Sequence, residues 1–385
     1  MDLSEKQKSI LTDIKGWYFG RNKQYLTFGG YAGTGKTTLL GYLSSILHQD
    51  NKKIKIAFCS YTGKASRVLQ RKLKEAKAID MNDYVGTIHR LIYKPIMDDK
   101  DEIIGWSRIE DKDFEYDLIV VDEASMVTKD IWNDLLSFDK PVLAVGDHGQ
   151  LPPIEGSFNL MEKPELRLEE IFRQEANNPI IKVSEIARRY GTIPAMEFSP
   201  KVVKFKKDRE DVQEILSEIF ETFDNETMVL TGYNSTRVKM NKGIRQLLEF
   251  ESPEPLTGDR VICLKNNHID DVFNGMTGTI LSIDKVGMTG NKYYEAEIEL
   301  DGEDEIFYGN LSIDQFGKDT TLAFDRDRQL NLFDFGYALT VHKAQGSQAR
   351  RVVVFEERFS RMTDDMWKRW LYTAVTRATE ELYII

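Results

Sequence analysis

Short, almost continuously apolar runs punctuate the first half of the chain. YLTFGG (25–30), KIKIAFCS (53–60), DLIVVDEA (117–124) and PVLAVGD (141–147) carry apolar side chains at nearly every position, as strands covered on both faces do. Helical patterns begin at about Lys36 and run over about 64–75 between them. This alternation predicts βαβ units around a buried parallel sheet. The pattern breaks at RLIYKPIMDDKDEIIGWSRI, where two β-rich arms flank the turn-like DDKD, and a hairpin inserted over about 88–113 is expected. From 253 to 330 the text turns all-β (GDRVICLKNN, GMTGTILSIDKV, KYYEAEIELD, EIFYGNL), with glycine and Asn/Asp turns, and predicts a small barrel or sheet. The βα rhythm frames that block. KVVKF (201–205), TMVLTGYN (227–234), FGYALTVHKAQG (335–346) and RRVVVFEE (350–357) read as strands, followed by a helix over about 364–377 and a last strand, ELYII. The expected fold is therefore α/β with two parallel-sheet domains. The first covers 1–175; the second is formed by 176–252 together with 331–385; the β insertion occupies 253–330.

Composition changes this picture little. The chain has 385 residues, 41% hydrophobic and 30% charged, which suits a globular protein of two or three domains. No apolar run reaches the roughly 18 residues of a membrane span, and the first residues, MDLSEKQKSI, lack a signal-peptide core, so a cytoplasmic location is expected. Cys59 and Cys263 sit far apart in apolar strand-like runs and read as buried thiols. The net charge of -11 argues against a protein that coats nucleic acid with its whole surface, yet leaves room for a basic groove on an acidic body.

The chemistry enters at Gly30–Thr37. GYAGTGKT fits G-x-x-x-x-G-K-[ST], with a strand before it and a helix after it. Gly30, Gly33 and Gly35 let backbone N–H groups turn onto phosphate oxygens, and the helix end adds partial positive charge. Thr34 and Thr38 complete the cradle, Lys36 reaches the outer phosphates, and Thr37 ligates Mg²⁺. Asp122 and Glu123 end an apolar strand, where α/β sheets bind ligands; Asp122 is expected on Mg²⁺ and Glu123 on the attacking water. Gln150 in GDHGQLPPI is placed to sense the γ-phosphate. Arg173 in LEEIFRQ and Arg377 in LYTAVTRA are the arginines expected to meet transition-state charge, each against the commoner fate of a surface helix arginine.

The series GYAGTGKT, YTGKASRVL, TIHRL, VVDEAS, GDHGQLPPI, EIFRQ, TGYNSTR, VFNGMTGTI, LTVHKAQGSQ and LYTAVTRA resembles the superfamily 1 helicase motifs in order, over nearly the whole chain. It is most similar to the RecD-like and Dda-like enzymes of the 1B branch. The resemblance implies two RecA-like domains, ATP-driven 5′→3′ movement on single-stranded DNA, duplex unwinding at junctions, and a monomer or loose assembly. It implies Gln7 in SEKQKSIL as the adenine contact and Gly346 as part of the nucleotide site. The strand would be lined by Thr62, Gly63, Lys64, Thr87, His89, Thr340, His342 and Lys343, with Tyr233 and Asn234 as a further pair. The hairpin would act as a strand-splitting pin through Ile96, Met97, Ile103 and Ile104, whereas Trp106, nearer its base, is expected to anchor it. Replication or repair proteins are implied as partners. An RNA-directed motor and an ATP-binding clamp with little unwinding remain alternatives at this level.

Overall fold

The computed structural model describes residues 3–97, 103–153, 158–170, 178–206, 209–267, 270, 272–287, 292–303, 305–323 and 330–385, with the backbone alone at Lys64, Met97, Ile103 and Ile104. The chain divides into two compact units, Met1–Ile181 and Lys182–Ile385.

The first unit is built on a six-stranded sheet. Its strands are β1 (Tyr25–Gly30), β2 (Ile56–Ser60), β3 (Tyr84–Thr87), β6 (Leu118–Asp122), β7 (Val142–Gly146) and β8 (Leu166–Leu168), in the order β3-β2-β6-β7-β1-β8 and with every pairing parallel. Helices α1 (Glu5–Gly20), α2 (Lys36–Asp50), α3 (Gly63–Glu75), α4 (Ile88–Ile92) and α5 (Lys129–Leu136) accompany it. Successive strand residues feed opposite faces. Ile56 and Phe58 join one core with Ile10, Ile14, Leu39 and Leu40; Ala57 and Cys59 join the other with Ile88, Ile131 and Trp132. This two-sided burial is why the apolar runs are continuous. Ser4 and Gln7 open α1 with a reciprocal capping box, Gln7 N–H donating to Ser4 Oγ and Ser4 N–H to Gln7 Oε1.

The inserted hairpin pairs β4 (Tyr93–Met97) with β5 (Ile103–Arg108) antiparallel, apart from the six-stranded sheet. Its first arm starts later than the pattern suggests. Ile88–Ile92 form α4, because Thr87 Oγ1 accepts the Arg90 N–H (3.3 Å) and Ile88, Leu91 and Ile92 fall on one buried face. The base is tied to α5: Tyr93 donates to Asp134, Arg108 Nε donates to Ser137 Oγ (2.6 Å), and the Arg108 guanidinium lies 3.7 Å over the Phe138 ring. Trp106 stands near that base and is 36% exposed; Ile96, farther out, is 41% exposed. The side chains of Met97, Ile103 and Ile104 lie outside the described residues.

The second unit holds two sheets. Its α/β sheet has the order β17-β11-β18-β19-β10-β9, from β9 (Glu197–Ser199), β10 (Val202–Lys204), β11 (Thr227–Thr231), β17 (Ala338–Thr340), β18 (Ala349–Val354) and β19 (Ala378–Ile384), parallel except for the β9–β10 pair. Helices α7 (Val212–Glu221), α8 (Asn234–Leu247) and α9 (Asp364–Val375) belong to it, and α6 (Pro179–Tyr190) spans the division between the units. The second sheet is antiparallel, β15-β14-β13-β12-β16, from β12 (Arg260–Cys263), β13 (Thr277–Val286), β14 (Tyr293–Leu300), β15 (Ile306–Leu311) and β16 (Phe333–Phe335). An isolated bridge pairs Leu311, at the end of β15, with Asn331, two residues before β16. FGYALTVHKAQG, expected as one strand, is divided between the sheets: Phe335 ends β16, and Ala338–Thr340 form β17. The crossing needs Gly336, where a Cβ would stand 2.7 Å from the backbone of Val261.

One face of α8 fixes the antiparallel sheet to the α/β sheet. Arg237, Asn241 and Arg245, spaced by four residues, are 3%, 2% and 4% exposed. Arg237 Nη1 donates to Asp334 Oδ2 (2.6 Å), Asn241 donates to the Phe335 and Ala338 carbonyls, and Arg245 pairs with both oxygens of Asp259 (2.7 and 2.8 Å). Tyr337 and the Leu256 N–H also donate to Asp259, each at 2.8 Å, so its lone pairs are filled.

Candidate nucleotide site and strand-end loops

In the first unit the carboxyl ends of β1, β7, β6 and β2 follow one another across the sheet, and each leads into a loop that carries expected site residues. β1 delivers the chain into residues 31–35. Gly33 and Gly35 take positive φ (76° and 83°), and α2 starts at Lys36. Gly30 leaves space that a side chain would fill, since its Cβ would meet Thr34 Oγ1 at 2.7 Å and Lys36 Cγ at 3.0 Å. Lys36 Nζ donates to the carbonyls of Gly30 (2.7 Å) and Tyr31 (3.0 Å). Thr34 Oγ1 donates to the same Tyr31 carbonyl (2.8 Å), and Thr37 and Thr38 stand on the first turn of α2. Gln7, 2% exposed, donates from Nε2 to Thr34 O (3.2 Å), so α1 is hydrogen-bonded to this loop.

Asp122 ends β6 partly buried. Burial raises its carboxyl above the usual range, against the pull of the Lys36 ammonium and the Glu123 N–H, which donates to Asp122 Oδ1 (3.0 Å). Glu123 itself takes φ 53°, a left-handed conformation outside glycine, which turns the chain sharply at the strand end. After β7, Asp147, His148 and Gln150 are 1%, 8% and 4% exposed, and Asp147 Oδ1 accepts the Gly149 N–H. Tyr31 packs on His148 with ring centres 4.1 Å apart. Burial lowers the His148 pKa and favours the neutral ring. Neither side chain was among the expected site residues; the only sign of the contact in the sequence is an aromatic residue at a variable position of the glycine loop.

Beyond β2, Thr62 caps α3 by accepting the Ala65 N–H (3.2 Å) and Gly63 is the first residue of that helix; the Lys64 side chain lies outside the described residues. Thr87, across from Ser60 in the adjacent strand, is the α4 cap, so one expected strand contact also has a structural task. His89 stands between the rings of Tyr61 (6.0 Å) and Tyr93 (5.8 Å). Arg173 lies outside the described residues.

In the second unit Thr231 and Thr340 are partners in adjacent strands, so Tyr233–Asn234 and His342–Lys343 emerge side by side. Burial lowers the pKa of His342, and it lowers that of Lys343 to about 8 with the help of the Arg237 charge. Gly346 (φ 74°) turns the same loop, and Arg377 is tied to it: Nη1 donates to Ser347 O and Nε to Thr373 O, both at 3.0 Å, with Arg377 itself 3% exposed.

The family described as "AAA domain" matches residues 2–215, and that described as "UvrD-like helicase C-terminal domain" matches residues 335–385. The ATP-dependent RecD2 DNA helicase of Deinococcus radiodurans is 27% identical over 403 residues, 99% of this chain and 48% of that protein. The chain thus spans about half the length of this curated relative. Two solved structures cover all of this chain at 19% identity and match it in fold: a Pif1 helicase from Bacteroides in complex with ADP-AlF3 and ssDNA (TM-score 0.55), and one describing DNA unwinding at forked dsDNA by two coordinating Pif1 helicases (TM-score 0.54). Each is matched over 92% of its own chain.

Proposed function

The chain belongs to the AAA domain family, among the superfamily 1B helicases of RecD/Pif1 type, and on that premise we propose that it hydrolyses ATP to move along single-stranded DNA and unwind duplex ahead of it, in the 5′→3′ direction. The observation that carries this reading is the loop 30–37, where a glycine cradle, an ammonium and a partly buried carboxylate converge at one sheet end. Lys36 exchanges its bonds to the Gly30 and Tyr31 carbonyls for β- and γ-phosphate oxygens, which are far better acceptors for an ammonium. The backbone N–H groups at Gly33, Thr34 and Gly35 hold the remaining oxygens, and Thr38 flanks them. Thr37 and Asp122 are the residues that would hold Mg²⁺, whose charge lowers the barrier by neutralising phosphate oxygens. Glu123 orients and polarises the water, Gln150 reports the γ-phosphate, Gln7 and Gly346 belong to the nucleotide site, and Arg173 and Arg377 are the two arginines that meet the developing charge.

The strand is gripped by Thr62, Gly63, Lys64, Thr87 and His89 in one unit and by Tyr233, Asn234, Thr340, His342 and Lys343 in the other. Movement requires that nucleotide state change the relative grip of these two sets. The antiparallel sheet with its Leu311–Asn331 bridge supports the reading of a small inserted barrel, which runs past the expected limit of 330 to include β16 at Phe333–Phe335. The exposed Ile96 and the anchored base support the hairpin as a pin, with Met97, Ile103 and Ile104 completing its outer part.

The test is ATP turnover with and without single strands, and unwinding of duplexes with matched 5′ or 3′ tails. Strand-stimulated turnover and unwinding from the 5′ tail only are expected. Turnover indifferent to strands would sink the motor reading, and unwinding from 3′ tails would reverse the polarity. Shortening 95–104 should spare stimulated turnover and abolish unwinding; loss of both would make the hairpin structural.

Lys343 adds a pH signature. A lysine that titrates near pH 8 in the free protein is held charged by a phosphate, so binding raises its pKa. Strand affinity should be complete below about pH 8 and fall up to about tenfold per pH unit above it. Lys343→Arg should flatten that decline; an unchanged decline in the variant would assign it to another group.

A further inference from the structure

The loop after β11 is built in an unusual way for a strand-binding loop. The Glu357 carboxylate, just beyond β18, accepts the N–H groups of Gly232 (2.8 Å) and Tyr233 (3.0 Å) and the Thr236 hydroxyl (2.5 Å). Successive backbone N–H groups in a turn ahead of a helix can cradle a phosphate. Here a carboxylate already holds them, and Glu357 packs so closely that a Cβ on Gly232 would stand 2.7 Å from its carbonyl oxygen. The two N–H groups ahead of α8 and the Thr236 hydroxyl are thus spent inside the protein. What the loop turns outward is a ring: Tyr233 is 41% exposed. That ring is braced. Phe359 meets it edge-on with centres 4.5 Å apart at 85°, and its hydroxyl donates to the Arg358 carbonyl (3.3 Å).

We propose that Tyr233, braced by Phe359 and held by Glu357, is a stacking platform for one unpaired base of the single strand rather than a phosphate contact. The inference rests on the strand-binding reading above. Its position suits the role. In the order β17-β11-β18 the platform sits on the middle strand end, beside the loop that holds His342 and Lys343, so a base and its phosphates meet neighbouring loops. Stacking serves a protein that must pass over any sequence, since every base has a π-face. Fixing the ring beforehand keeps the ordering cost out of each binding event. Glu357 and Phe359 are positioning residues: they act on the base only through Tyr233.

The experiment measures affinity for an oligothymidine and for the same strand with a single abasic site moved along it, across a salt series. For the wild type, one abasic position should weaken binding about tenfold. Tyr233→Ala should weaken binding of the intact strand by about the same factor. It should also erase the penalty at that position and leave the salt slope unchanged, because the same phosphates are neutralised. Tyr233→Phe should keep the penalty. Phe359→Leu should reduce it without changing the slope. The proposal is overturned if Tyr233→Ala binds normally, or if it weakens intact and abasic strands equally while the slope falls by about one. It is also overturned if Tyr233→Phe behaves like Tyr233→Ala, which would make the hydroxyl the contact. A wild-type chain that binds no strand at all would instead remove the strand-binding reading itself.

Discussion

Replacing Lys36 by alanine is expected to cut ATP turnover by about two to three orders of magnitude, the usual cost of removing a preorganised charge from a developing anion, while single-strand binding is largely kept. The ammonium stands between the Gly30 and Tyr31 carbonyls and helps to hold the carboxyl of Asp122 down against burial. Its removal acts twice. The phosphates lose their cation, and Asp122, already raised by burial, rises further and becomes a poorer ligand for a metal ion. Steady-state phosphate release with and without single strands measures the effect, and binding of a fluorescent oligonucleotide serves as the control. Turnover near the wild-type rate would remove the loop 30–37 from the catalytic site, and the rest of the mechanism with it.

The second large effect concerns stability. Arg245→Ala should destabilise the second unit by about 3–5 kcal/mol, because it leaves Asp259 buried without its cation. Arg245 makes two bonds to that carboxylate and also donates to the carbonyls of Ser252 (2.7 Å) and Glu254 (2.9 Å). The alanine variant strands all of these acceptors. For a unit of this size the loss corresponds to a fall of about 6–20 °C in the midpoint of its unfolding transition. Calorimetry that resolves the two units should show the lower transition in one of them only. A fall under about 2 °C would mean that water or a neighbouring group satisfies Asp259, and that the α8 stripe is not the fastening described above.

Much of this is legible in the amino-acid sequence. The strands at 25–30, 56–60, 118–122 and 142–146 declare themselves because both faces of the sheet are covered, so each apolar run is unbroken. The phosphate loop is legible because its glycines and its lysine answer to local geometry. What escaped depends on partners far away in the chain. Arg237, Asn241 and Arg245 have the spacing of a solvated helix face, yet they are buried, since Asp334 lies 97 residues beyond Arg237 and supplies its counterion. Glu357 reaches Gly232 across 125 residues, with no motif around it. The stretch IHRLI at 88–92 satisfies either a strand or a short helix, and the Thr87 cap decides for the helix. Gly336 gives no hint in sequence that one apolar run must serve two sheets; only the approach of the Val261 backbone requires it.

The polar stripe of α8 carries a mechanical consequence. Its 14 residues make a rod about 21 Å long, anchored at its start by Glu357 and along its length by Asp334 and Asp259. A rod pinned at several points cannot pivot at any one of them. If a base stacks on the Tyr233 ring as proposed, tension on it would pass along α8 to the antiparallel sheet, and that sheet would move with the ring.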